Sequence, residues 1–179
     1  MAIHFLGLCG SLRKASTNMG LLRAAQANLP EGVTMEFADI HDLPFLNQDL
    51  EANRPPEVLR VLEQFAKADA LVLASPEYNY SIAPALKNAL DWASRDRERP
   101  LLADKPAAIL GAGGGMGTSR AQYHLRQVCV ILNLHPLNKP EVFANAFAGA
   151  FDAEGNLTDE RLTGLVREQM AALAAACKK

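Results

Sequence analysis

Cysteine is scarce in this chain, with Cys9, Cys129 and Cys177 the only three among 179 residues. An odd, scattered set with no C-x-x-C pair excludes a disulfide framework and points to a reduced, intracellular setting. His41, His124 and His135 have no metal-like spacing with one another or with a cysteine, so no metal is expected. No apolar stretch is long enough to span a bilayer, and no basic region precedes the opening strand pattern. The expectation is a cytoplasmic protein with no membrane partner. Charge excess is lacking too, at −2 overall, which argues against nucleic acid as a partner. Repeats, low-complexity stretches and Gly/Ser linkers are also absent, so residues 1–179 read as a single domain.

One local absence is more telling: the first thirty residues hold no Asp or Glu, and Glu31 is the first acid. Within them, the apolar run Ile3–Cys9 leads into Gly10-Ser11-Leu12-Arg13-Lys14-Ala15-Ser16-Thr17-Asn18, and a helical pattern starts near Met19. A strand, a polar loop and a helix start together offer unsatisfied N–H groups and a positive helix end to an anion. The loop adds hydroxyls at Ser11, Ser16 and Thr17, the amide of Asn18 and the cations Arg13 and Lys14. Two familiar phosphate loops do not fit. A P-loop needs a second glycine before its lysine, and a dinucleotide fingerprint needs a spacing that Gly7 and Gly10 lack. The pattern suits a terminal phosphate monoester; an ordinary capped βα turn is the plainer alternative.

Farther along, helical and strand patterns alternate. Met19–Leu29 carries a helical stripe, Val33–Ala38 a second strand, and His41–Arg54 reads as a surface segment. Pro55–Lys67 is a second helix with prolines suited to its first turn. Ala70–Ala74 is the most strand-like run and ends in Ser75-Pro76-Glu77-Tyr78-Asn79-Tyr80-Ser81. A third helix follows, then Arg95–Arg99 as a solvated connection. Ala107–Leu110 is a fourth strand, ending in a stretch with five glycines between Gly111 and Gly117. Arg120–Leu132 is a fourth helix, Val142–Phe143 a weak fifth strand, and Thr158 the expected cap of a last helix. This predicts an α/β fold, a three-layer α/β/α sandwich of flavodoxin-like type around a five-stranded parallel sheet of order 2-1-3-4-5. In that order the loops after strands one, three and four share one crevice.

The second of these loops puts Tyr78 and Tyr80 beside Glu77, Asn79 and Ser81, with Pro76 stiffening its start. The glycine run lets backbone approach a flat ligand closely. A phosphate at the first loop and a flat polar ring at the other two describe a flavin mononucleotide.

Three segments carry a wider likeness: Gly10-Ser11-Leu12-Arg13 with Ser16 and Asn18; Pro76-Glu77-Tyr78-Asn79 with Leu86-Lys87-Asn88-Ala89-Leu90-Asp91-Trp92; and Gly113–Gly117 with Arg120. In order and spacing the chain resembles the NADPH-dependent FMN reductase family, and within it the bacterial chromate/quinone reductase branch. The resemblance implies that Ser11, Arg13, Ser16, Thr17 and Asn18 hold the FMN phosphate. It implies that Pro76, Glu77, Tyr78 and Asn79 line the isoalloxazine ring with Ser81 close by, and that Gly113, Gly114 and Gly115 lie near its pyrimidine side. It further implies NADPH or NADH as donor and ping-pong hydride transfer through flavin N5 to quinones, with chromate, azo or nitro compounds as other acceptors. No side chain is expected to act as a nucleophile. A homodimer or homotetramer is implied, and Arg120, Tyr123 and Glu141 are candidate intersubunit contacts.

Plainer roles stand beside these. Tyr78 and Tyr80 can be packing residues, and Glu77 can cap a helix or pair with a cation. Lys87, Asp91 and Arg95 have the spacing of an ion-pair face. His4 reads as a hydrogen-bonded core histidine, Cys9 as a small buried hydrophobe, and Trp92 as helix packing. Two other functions fit the same crevice: an FMN electron carrier that takes nothing from NADPH, and a nucleotide-binding module without catalysis. A carrier is usually strongly acidic, which this chain is not.

Overall fold

The computed structural model describes residues 2–96 and 98–178. In chain order it contains β1 (Ile3–Cys9), α1 (Thr17–Ala27), β2 (Val33–Phe37), a 3₁₀ turn (Gln48–Leu50), α2 (Pro56–Lys67), β3 (Ala70–Ala74), β4 (Glu77–Tyr78) and β5 (Ser81–Ile82). There follow α3 (Pro84–Ala93), β6 (Pro106–Gly113), α4 (Ser119–Ile131), β7 (His135–Pro136), β8 (Val142–Asn145) and α5 (Glu160–Ala176).

Alternation along the strands divides the core into two layers. Leu6 and Leu8 of β1, Leu71 and Leu73 of β3, and Ala107 and Ile109 of β6 face α2, α3 and α4. Their neighbours Phe5, Val72, Ala108 and Leu110 face α1 and α5. A strand buried on both sides has no polar positions to spare, which is why β3 is uninterruptedly apolar. Every pairing in the main sheet is parallel, in the order β2-β1-β3-β6. This is the flavodoxin-like three-layer arrangement.

The fifth position differs from the expected single strand. Two short segments share it: β7 pairs with the start of β6 through Pro106 and Ala107, and β8 with its end from Leu110 to Gly113. The two-residue β7 was too short to leave an alternating pattern. The glycine run is also more ordered than a loop, because β6 carries on through Gly113. At the last helix the cap is Asp159 rather than Thr158: its carboxylate accepts from the Leu162 N–H at 2.7 Å.

The segment between β2 and α2 is pinned as well as exposed. Trp92, fully buried on α3, donates its indole N–H to the Pro44 carbonyl at 2.8 Å. Asn88, one turn earlier, donates to the same carbonyl at 2.9 Å and accepts from the Leu46 N–H at 2.8 Å. The Arg95–Arg99 connection is not merely solvated, for Asp96 is buried under Arg54 and Arg99; Arg97 lies outside the described residues. Lys87 and Asp91 do form the expected pair at 2.6 Å, while Arg95 turns to Glu51 instead.

Replacing Asn88 by alanine leaves the Leu46 N–H without an acceptor while Pro44 keeps its indole donor. The expected loss is about 1–3 kcal/mol, read as a lower urea midpoint with an unchanged slope.

Candidate active site

The carboxyl ends of β1, β3 and β6 meet in a cleft of about 450 Å³, within the size range of small-molecule sites. At the first loop, Gly10 extends the ladder by donating to the Ala74 carbonyl at 2.8 Å. Ser16 then caps α1, its hydroxyl accepting from the Met19 N–H at 3.2 Å. Between these fixed points, the backbone N–H groups of Ser11 to Ala15 donate to no other described residue. Ser11, Arg13, Thr17 and Asn18 line the cleft beside them. A run of unpaired N–H groups at a helix start, with a guanidinium alongside, is built for an anion.

Asn18 has a second task. Its carboxamide donates to the Ala112 carbonyl at 2.9 Å and accepts from the Ala112 N–H at 3.0 Å, clamping the first loop to the end of β6.

The second loop is a β-hairpin. Tyr78 pairs with Ser81, and the two residues between them, Asn79 and Tyr80, have φ of 50° and 66°. Positive φ at both central positions is the type I′ turn that matches strand twist. Asparagine accepts it readily and a tyrosine does not, so Tyr80 is held there by its surroundings. The Arg120 guanidinium lies 3.7 Å from its ring centre. The same guanidinium is gripped by Glu77, which accepts from Arg120 Nε at 2.6 Å and from the Ala121 N–H at 3.2 Å. Glu77 therefore caps α4 and pairs with Arg120. Tyr78, half exposed, forms one wall of the cleft with Pro76.

The third loop leaves β6 at Gly113 and folds back through a bridge between Gly114 and Gly117. A side chain at Gly111 would overlap Thr118 and the Ser75 carbonyl, so this glycine lets α4 start close to the end of β3. Gly113 and Gly114 line the cleft.

Of the residues singled out in the sequence, the cleft gathers Ser11, Arg13, Thr17, Asn18, Pro76, Glu77, Tyr78, Gly113 and Gly114. Ser16 lies beneath the loop as its cap, and Asn79 forms the hairpin turn. Ser81 faces His124 of α4, 3.3 Å away, and Gly115 is at the tip of the third loop. A fourth wall went unseen in the sequence: Ala146, Phe147, Asp152, Ala153 and Gly155, from the connection between β8 and α5. The turn formers Asp152, Gly155 and Asn156 announce a turn there, but nothing local says where it docks.

A wider groove of about 740 Å³ lies elsewhere, lined by Arg54, Arg95 and Arg99. Its arginines already pair with Asp96, Glu51 and Glu63, which leaves little charge for a ligand. The cysteines are unsuited to nucleophilic work. Burial pushes the Cys9 thiol up, against weaker opposing contacts with Ser11, Ser16 and Arg23, and raises Cys129 to about 11.

The profile of a family described as NADPH-dependent FMN reductase matches residues 3–149. The chain belongs to that family. It is 52% identical over 173 residues to an NAD(P)H-dependent FMN reductase of Pseudomonas aeruginosa, covering 96% of this chain and 93% of that one. An NAD(P)H:quinone oxidoreductase of Solanum tuberosum is 50% identical over 184 residues, covering 99% and 94%. Among solved structures, the flavoenzyme NAD(P)H:(acceptor) oxidoreductase FerB of Paracoccus denitrificans superposes with a TM-score of 0.88 at 31% identity, covering 98% and 97%.

The cleft fits the family's cofactor on its own chemistry. Free N–H donors and Arg13 at one end suit a phosphate monoester, and the aromatic and glycine-backbone walls at the other suit a flat ring with polar edges. Asn18→Ala is expected to leave both polar groups of Ala112 unpaired, costing about 2–4 kcal/mol and loosening FMN; thermal melting with and without FMN checks both effects. Cys9 and Cys129 are expected to resist a thiol reagent at neutral pH in the folded chain and to react on unfolding, with Cys177 reacting first.

Proposed function

We propose that the chain is an FMN-dependent NAD(P)H oxidoreductase whose acceptors are quinone-like. The observation that carries this reading is the cleft where the unpaired N–H groups of the first loop meet the walls of the second and third. Ser11, Arg13 and Thr17, with those N–H groups, hold the phosphate; Ser16 and Asn18 fix the loop that presents them. Pro76, Glu77 and Tyr78 border the ring on one side, with Asn79 shaping their hairpin. Gly113 and Gly114 border it on the other, with Gly115 next to them and Ser81 behind the hairpin.

Bound FMN supplies the two-electron relay between nicotinamide and acceptor. The chain's own contribution is binding, orientation and electrostatics. Arg13 and the N–H nest balance the phosphate charge, and backbone donors of the second and third loops favour electron density on the ring edge. No side chain is assigned as nucleophile: Glu77 is committed to Arg120 and the start of α4, and the buried Cys9 thiol lies outside the cleft with its pKa raised by burial. A flat acceptor suits a cleft with aromatic walls better than a compact oxyanion does, so quinones rank above chromate. The exposed face of α4, with Tyr123, Val130 and Ile131, suits contact with another copy in a homodimer or homotetramer. Three unpaired cysteines suit the reducing cytoplasm.

The visible spectrum under anaerobic conditions is the test. The full chain loaded with FMN is expected to bleach with NADPH or NADH and to regain colour on adding a quinone. Bound flavin that stays oxidised with both nucleotides would favour an electron carrier. A chain that binds no flavin would overturn the reading of the cleft.

A further inference from the structure

The later part of the fourth wall, Asp152, Ala153 and Gly155, lies just past residue 149, where the family match ends. It is a tight hairpin closed by a bridge between Phe151 and Leu157. Asp152 ties its turn: one carboxylate oxygen accepts from the Asn156 N–H at 2.7 Å and the other from the Asn156 side chain at 2.9 Å. The backbones add two more bonds, from Asp152 N–H to the Asn156 carbonyl at 3.0 Å and from Gly155 N–H to the Asp152 carbonyl at 3.1 Å. Asn156 holds the Asp152 carboxyl below its usual range, with a smaller push from Arg23, so the tie is ionised at neutral pH.

The tip of this hairpin is pressed onto the start of α1. Gly155 is buried, with φ of 82°, and a Cβ there would come within 2.9 Å of the Ser16 carbonyl carbon and 3.0 Å of Ala15. A Cβ on Gly20, one turn into α1, would overlap the Gly155 carbonyl oxygen. Two glycines far apart in sequence thus put backbone directly against backbone, beneath the loop whose N–H groups are free. That loop has no ladder of its own. The orientation of its peptides is fixed at the β1 end by Gly10, at the helix end by Ser16, and from the side by this hairpin.

We propose that the 151–157 hairpin is the positioning element of the phosphate loop, and that the Gly20–Gly155 contact makes the cleft select a phosphorylated flavin over the unphosphorylated one. This deepens the reading of the cleft as an FMN site and rests on it. Hydrogen bonds to a dianion are steep in distance and angle, so a shift of the loop's peptides weakens the phosphate contacts. The ring contacts, made by the second and third loops, are left in place. Gly20 and Asn156, neither of which lines the cleft, act through the loop and are positioning residues.

The test is titration of the flavin-free full chain with FMN and with riboflavin, followed by flavin fluorescence. The wild type is expected to bind FMN about a hundredfold more tightly than riboflavin, the worth of two charge-assisted hydrogen bonds. Gly20→Ala, which forces the two backbones apart, is expected to cut that ratio about tenfold while riboflavin affinity changes less than about threefold. Asn156→Ala, which removes one bond to the Asp152 carboxylate without changing the charge that lines the cleft, is expected to lower the ratio in the same direction and decides the matter if Gly20→Ala does not fold. A folded variant that keeps the wild-type ratio, or one in which both ligands weaken together with the melting temperature, would overturn the proposal. A wild type that binds both flavins equally would instead overturn the phosphate reading of the first loop, before any variant is made.

Discussion

The Asn18 carboxamide, bonded to both polar groups of the Ala112 peptide, is the constraint on which the cleft depends. Strand β3 stops pairing with β6 at Ala74 opposite Leu110, and Ser75 makes one last bond to the Leu110 carbonyl. Strand β6 runs on to Gly113, so Ala112 presents an N–H and a C=O to a side where no strand remains. Asn18 stands in for the missing strand residue, because its side-chain amide offers the same donor and acceptor as a peptide. An unpaired peptide at this depth would cost a few kcal/mol and invite water into the cleft. Pairing it with a residue of α1 joins the first loop to the third at a fixed distance.

Several side chains beside the cleft hold backbone, so peptide groups share the ligand-facing surface with Arg13, Tyr78 and Phe147. Ser16 caps α1, Glu77 caps α4 and restrains Arg120, and the buried Ser75 hydroxyl bonds the Pro76 carbonyl and the Ala83 N–H at the base of the hairpin. This division suits a flavin enzyme, whose chemistry resides in the cofactor and whose protein sets position and charge. It also gives Ser16, Asn18 and Glu77 a backbone-holding task beside the cleft. Their side chains are needed to present N–H groups at defined angles.

How much of this was legible in the sequence follows from the range of each interaction. Strands β1, β3 and β6 were readable because a strand buried on both faces must be continuously apolar. The first and second loops were readable because their polar residues are consecutive. The split of the fifth sheet position was not, since two residues of β7 carry no period. The Asp159 cap sits next to Thr158, and either residue can do the work. Asn88 and Trp92 stood in a recognisable segment, yet their partner is a proline carbonyl on a stretch with no pattern. The fourth wall was the least legible element, because its key contact is between glycines and has no side-chain chemistry to announce it.

The hairpin at Asn79 and Tyr80 shows how the cleft tolerates local cost. A tyrosine with φ of 66° is disfavoured by about 1–3 kcal/mol. The register of β4 and β5 requires the turn, and the turn directs Tyr78 into the cleft. Compensation comes from outside the hairpin: Arg120 lies over the Tyr80 ring, and Glu77 holds Arg120 while capping α4. The strain and its relief are thus on different elements, so the hairpin keeps its shape only while α4 is docked. The second wall of the cleft is in this sense a product of the whole sheet–helix layer, as the first is of the strand that Asn18 completes.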